Sequence, residues 1–230
     1  MAKIFIVGPA FPLRGGPAQF NENLCRQLCR AGHKAEIISY SLQYPNFLFP
    51  GSSQFETSAK PPSDLKIHTL INTINPFNWL RVASFIKKEK PDFILFRYWL
   101  PFFGPSLGTI GRLVRKKTKV LALTDNIIPH EKRAGDNFFT RYFVNSCHGF
   151  IAMSKTVLQD ISKFTNNDKK VFSPHPMYES YGEAVSKTEA RKKLGLNEGD
   201  PVILFFGLIR QYKGLDLLLK AMSDEYVKKS

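Results

Sequence analysis

Cysteine is scarce here: three residues in a chain of 230 cannot build a disulfide framework, and their odd number points to a reducing compartment. Cys25 and Cys29 stand one helical turn apart, yet no third and fourth ligands keep metal-site spacing near them. They read as small helix residues rather than half of a metal centre. No apolar run approaches the roughly 18 residues of a membrane span. The first apolar segment is short, follows no basic stretch and reads as a strand, not a secretory leader. Together these absences make the cytoplasm the expected setting. Acidic residues are also few, 19 against 33 basic, for a net charge of +14. Such a surface attracts anions, whether nucleic acid, acidic lipid headgroups or phosphorylated small molecules, and charge alone does not choose among them. The first turn lacks the G-x-G-x-x-G dinucleotide fingerprint, and the lysine-bearing phosphate loop of nucleotide triphosphatases is missing too, which counts against dehydrogenase and ATPase readings.

What is present is an alternation of strand-like and helix-like segments. The apolar run at residues 4–7 is followed by an amphipathic stretch in which Phe20, Leu24, Leu28 and Ala31 recur at helical spacing, with Gly32 placed to end it. Strands are expected at residues 35–40, 66–70, 92–98, 119–124, 149–152 and 170–173. Helices are expected between them near 77–88, 107–115, 138–145 and 154–161. This is the pattern of an α/β, Rossmann-like doubly wound parallel sheet. Residues 41–64, rich in Pro, Ser and Gly, read as a long surface loop, a kind often functional. The composition then changes. Residues 176–200 read as a linker containing a short helix with a Ser186/Glu189 capping box and a Gly195 stop. "PVILFFG" predicts a buried strand, followed by the helix "GLDLLLKAM". The expected organisation is one domain over 1–175, a linker over 176–200, and over 201–230 the opening βα unit of a second Rossmann-like domain.

In an open parallel sheet, ligands bind outside the carboxyl ends of the strands, near the point where strand order reverses. That rule gathers Arg14, Gly15 and Gly16 after the first strand, Arg97, Tyr98 and Trp99 after "DFILF", Asp125, Asn126, His130 and Glu131 after "KVLALT", and Ser154 with Lys155 after "GFIA". All are expected to rim one cleft. Gly15 and Gly16 let backbone approach a ligand, and the helix behind them offers free N–H groups to an anion, unless they form a plain turn. His130 can donate to a substrate hydroxyl or shuttle a proton, or be a surface histidine with no role. Ser154 is most simply a helix N-cap. His33, His68 and His148 flank strands and carry no signal.

Five stretches, in order and spacing, carry a resemblance: "GPAFPLRGGPAQFNENLCRQLCRAGHKAEIIS", "PDFILFRYW", "LTDNIIPHE", "FIAMSKTVLQDI" with "HPMY" beyond it, and "FFGLIRQYKG". With these the chain resembles the GT-B-fold retaining glycosyltransferases of the family-4 group. The resemblance implies two facing Rossmann-like domains, the first binding a glycan or lipid-linked acceptor and the second a nucleotide-sugar donor, without a metal or other cofactor. It implies that Gly15 and Gly16 approach the donor diphosphate and that Lys213, with Arg210, neutralises it. Leu208, not arginine, follows Gly207, and Asp125 stands where many members carry a histidine. The resemblance places the family's acidic pair in a part of the second domain beyond Ser230, so this chain is expected to be a fragment that transfers sugar poorly or not at all alone. Two segments mixing aromatic and basic residues, around Trp79 and Trp99, suggest contact with an anionic membrane surface, although core helices with solvated lysines explain them more simply. A basic nucleic-acid-binding module is the alternative from another class, but no recognition motif supports it and no nucleic-acid partner is expected. A different Rossmann enzyme acting on a nucleotide sugar, such as an epimerase, is a third.

Overall fold

The computed structural model describes residues 1–45, 53–56, 60–129, 131–176, 182–207 and 209–224. Seven parallel strands form one sheet: β1 (Lys3–Val7), β2 (Lys34–Leu42), β3 (Ile67–Asn72), β4 (Phe93–Tyr98), β5 (Lys119–Thr124), β6 (Gly149–Ala152) and β7 (Lys170–Phe172). Their order is β3-β2-β1-β4-β5-β6-β7. The chain therefore builds outward from β1 in one direction, returns to pair β4 with the other side of β1, and continues outward. The switch in strand order falls between β1 and β4, whose register pairs Val7 with Phe96. Both faces are covered, which is why the strands read as nearly continuous apolar runs rather than alternating ones.

Strand periodicity splits the core. Phe5 and Val7 point into the larger cluster with Phe96, Tyr98, Phe103 and Phe143, whereas Ile6 points into a smaller one with Cys25, Ala35 and Ile37. The smaller cluster lies beneath α1 (Gly16–Arg30). On the larger side are α2 (Pro76–Glu89), α3 (Gly104–Val114) and α4 (Asp136–Val144), followed by the short α5 (Lys155–Ile161). α3 carries Gly104, Gly108 and Gly111 on one stripe, and α4 closes onto it. A Cβ on Gly108 would fall 2.7 Å from the Tyr142 ring, and one on Gly111 2.7 Å from Ser146 Oγ. The helix caps follow from sequence: Asn75 accepts from the Asn78 amide at 3.2 Å, and Ser154 from the Val157 amide at 3.1 Å.

The chain divides into two compact units, Met1–His175 and Pro176–Ser230. In the second unit α6 (Lys187–Leu194) is capped by Ser186, whose hydroxyl accepts from the Glu189 amide at 3.2 Å, and ends at Gly195 in the left-handed region. A single 3₁₀ turn, Gln211–Lys213, precedes α7 (Leu215–Ser223). The expected strand at "PVILFFG" does not form. Residues 201–206 are irregular, and Leu204 and Phe206 are 80% and 87% exposed. The cause is pairing: an isolated strand leaves its N–H and C=O groups unmatched, and the described residues of this unit hold no second strand.

Candidate functional site

β1 delivers the chain to the switch point through Gly8, where crowding rather than dihedral freedom requires glycine: an added Cβ would sit 2.5 Å from Asn21 Nδ2 and 2.9 Å from Arg97 Cβ. Further on, Gly15 takes φ 111° and ψ 172°, a conformation closed to L side chains, and serves as N-cap of α1 with no side-chain cap and no acid in the first turn. The positive end of a 15-residue helix thus lies beside the switch point, with no acidic residue in its own first turn. Gly15 and Gly16 are both exposed.

Residues 53–56 cross this turn as a strap; the rest of the expected 41–64 loop lies partly in β2 and partly outside the described residues. The Arg14 amide donates to Gln54 O at 3.0 Å, the Glu56 amide to Pro12 O at 2.7 Å, and Leu13 bridges Phe55. Arg14 Nε donates to Ser53 O at 3.1 Å, so part of its guanidinium holds the strap.

At the carboxyl end of β4 lies a buried ion pair. Arg97, 2% exposed, grips Asp125 bidentately, Nε to Oδ2 and Nη2 to Oδ1, each at 2.5 Å. Its guanidinium carbon lies 4.0 Å from the Phe20 ring centroid, a cation–π contact supplied by α1. Nη1 of Arg97 and Oδ1 of the fully buried Asn21 have no hydrogen-bond partner among the described residues, although Asn21 Nδ2 donates to Pro9 O at 2.8 Å. Two unspent hydrogen-bonding atoms therefore accompany the pair. Phe20 also meets the His175 ring at 5.1 Å.

Of the other candidates, Trp99 is half-buried, with its indole N–H donating to Tyr44 Oη at 3.0 Å and its ring 4.4 Å from that of Phe103. Burial drives the Tyr44 hydroxyl up to about 12, which keeps it neutral. Asn126 is half-buried and Glu131 exposed. Ser154 is the N-cap of α5 and Lys155 its exposed first residue. Tyr98 departs from expectation. It is fully buried, stacked on Phe143 at 4.1 Å, with its hydroxyl 3.3 Å from Thr140 Oγ1, so it belongs to the core and not the cleft rim. The reason is strand alternation: Tyr98 points to the side of the sheet that holds Phe96 and Phe143, and Arg97 to the other, against Phe20 of α1. His130 lies outside the described residues. In the second unit Lys213 folds onto the Gly207 turn, where an added Cβ would fall 2.5 Å from its Nζ, and Arg210 caps the turn that carries Lys213.

The sequence reading missed Gly8, Phe20, Asn21 and His175. Asn21, a polar residue on the apolar stripe of α1, was the one available signal. Among the described residues no three His, Cys, Asp or Glu side chains converge as metal ligands. Burial raises the Cys25 and Cys147 thiols to about 12, which removes both as nucleophiles at neutral pH.

An open parallel sheet with a glycine-capped helix and a buried charge pair at its switch point defines a Rossmann-like α/β domain. Residues 14–173 match the sequence profile of Glycosyltransferase Family 4, and the chain belongs to that family. The fold is the N-terminal half of the GT-B architecture. The structure of Anabaena Alr3699/HepE in complex with UDP-glucose superposes with a TM-score of 0.67 at 13% identity, covering 96% of this chain and 57% of that one. The same protein with UDP and glucose gives 0.59. An α-glucosyltransferase in complex with UDP gives 0.52 at 9% identity, covering 77% and 45% respectively. The chain thus spans roughly half the length of the structures it resembles. No curated protein sequence matches it.

Proposed function

We propose that this chain is the acceptor-side portion of a glycosyltransferase that takes its sugar from a nucleotide donor, with retention at the anomeric carbon and without a metal. The observation that carries the reading is the switch point itself: a helix that starts at a Gly15 N-cap of positive φ, flanked by the Arg97–Asp125 pair. The HepE and α-glucosyltransferase structures of this fold hold UDP or UDP-glucose, which supports a nucleotide sugar as donor.

Departure of a nucleoside diphosphate builds negative charge on phosphate oxygen. Gly15 lets backbone come close to such a charge, and the α1 dipole turns its positive end to the switch point. Lys213 and Arg210 are cations of the kind that stabilise such a leaving group, and removing one such group costs about 10²–10³ in kcat. On the acceptor side, the Asp125 carboxylate edge, Trp99, Asn126, Glu131 and His130 orient a glycan or lipid-linked hydroxyl, while Ser154 and Lys155 stand at the α5 end of the rim. A lipid-linked acceptor brings the enzyme to an anionic membrane surface as a peripheral protein. No helix among the described residues is long and apolar enough to cross a membrane.

The test is calorimetric titration of this chain, and of a longer protein carrying a complete second domain, with nucleoside diphosphates and their sugars. Binding and transfer by the longer protein alone are expected. Tight nucleotide binding by the 230-residue chain would make the first domain itself the donor site and overturn the assignment of halves.

A further inference from the structure

At the opposite pole of the sheet, where the amino ends of β1, β4 and β5 meet the carboxyl ends of α2 and α3, lies a hollow of about 550 Å³. Lys90, Arg115, Lys116, Lys117 and Lys119 line it, and the one carboxylate on its wall, Asp92, already accepts from the Lys3 amide at 2.7 Å. Some basic residues elsewhere in the chain meet acids: Lys3 with Glu89, Arg26 with Asp64, Lys66 with Glu36, Lys163 with Asp160. None of the five cations at the hollow forms an ion pair among the described residues; Arg115 donates only to the Asn145 carbonyl, at 2.7 Å.

One or two lysines after a helix suffice to complement its dipole. Five cations around one concavity exceed that need and repel one another, a standing cost that a bound anion would offset. We propose that this hollow is a second binding site, separate from the switch point, for a phosphate-bearing anion. Its size admits a small polyphosphate, and its mixture of one guanidinium with several ammonium groups suits phosphate oxygens approaching from different directions. The neighbourhood already registers the field. Burial together with Arg115, Lys119 and Lys169 holds the His148 imidazole below its ordinary value, so His148 reports on whatever neutralises these charges. The inference is independent of the sugar-transfer reading, because no residue of the hollow belongs to the cleft.

The test titrates the chain with inorganic pyrophosphate, and separately with phosphatidylcholine vesicles with and without phosphatidic acid. The variant is Lys116→Gln/Lys117→Gln/Lys119→Gln. A control with the same change in net charge, Lys187→Gln/Lys192→Gln/Lys220→Gln, alters only the second unit. Pyrophosphate binding weakened about tenfold or more by the first triple and unchanged in the second is expected, along with an upward shift of the His148 titration followed by NMR. Binding of phosphatidic acid vesicles with the same variant dependence, and none of pyrophosphate, assigns the phosphate to a lipid headgroup. The proposal is overturned by absence of both kinds of binding, by equal losses in the two triples, by pyrophosphate binding that the first triple leaves intact, or by a His148 titration unmoved at saturation.

Discussion

Arg97 and Asp125 are separated by 28 residues, and nothing local in the sequence says that they touch. Their positions at the ends of two adjacent strands were legible from the apolar runs before them; their pairing needed the strand order. The pairing also changes what Asp125 can do. A carboxylate spent on a buried guanidinium is a positioning group first. Breaking a buried pair by removing one partner leaves the other charge uncompensated, at about 3–5 kcal/mol for a fully enclosed pair. The Asp125 side chain is 25% exposed, so Asp125→Asn is expected to cost about 2–3 kcal/mol on that scale, read as a lower urea midpoint. Arg97→Met, which removes the buried charge and keeps stem packing against Phe20, should cost less. Equal or reversed costs would show that the guanidinium is not the group that needs a counter-charge.

Elements were easier to read than contacts. The strands at 119–124 and 149–152 appeared where the apolar runs placed them, and the Ser186 cap and Gly195 stop of α6 were visible in residue type alone. "PVILFFG" failed because strand formation depends on a neighbour that periodicity does not reveal. β2 and β3 carry another cross-element feature hidden from sequence. Glu36 on β2 is buried, receives His68 Nε2 of β3 at 2.7 Å, and pairs with Lys66 Nζ at 3.1 Å. Burial pushes its carboxyl upward, but the hydrogen bonds from His68 and Lys66 outweigh that and leave it below the usual value near 4.5. A carboxyl depressed by folding contributes stability that is fully present above its unfolded value and is lost as pH falls through the folded one. The melting temperature should therefore fall as pH drops below about 4.5, and Glu36→Gln should be less stable at neutral pH with a shallower acid slope. An unchanged slope would place the acid sensitivity in other carboxylates.

At the scale of the whole molecule, two electrostatic effects oppose each other as salt is added. Nine ion pairs occur among the described residues, and screening weakens the exposed ones, which contribute about 0–1 kcal/mol at most. Against them stands a net charge of +14, whose self-repulsion screening relieves. The buried Arg97–Asp125 pair is shielded from solvent ions and drops out of the comparison. Several of the remaining pairs hold a long, exposed lysine and are worth little, whereas the unpaired cations at the hollow are crowded together and repel at short range. Repulsion should win, so raising sodium chloride from about 0.02 to 0.2 M, across which the Debye length shrinks from roughly 20 to 7 Å, is expected to raise the melting temperature. The Lys116→Gln/Lys117→Gln/Lys119→Gln variant should start higher at low salt and respond less. A wild-type chain that melts lower in added salt would mean that its ion pairs outweigh the excess charge, and that the hollow's cations repel less than their crowding implies.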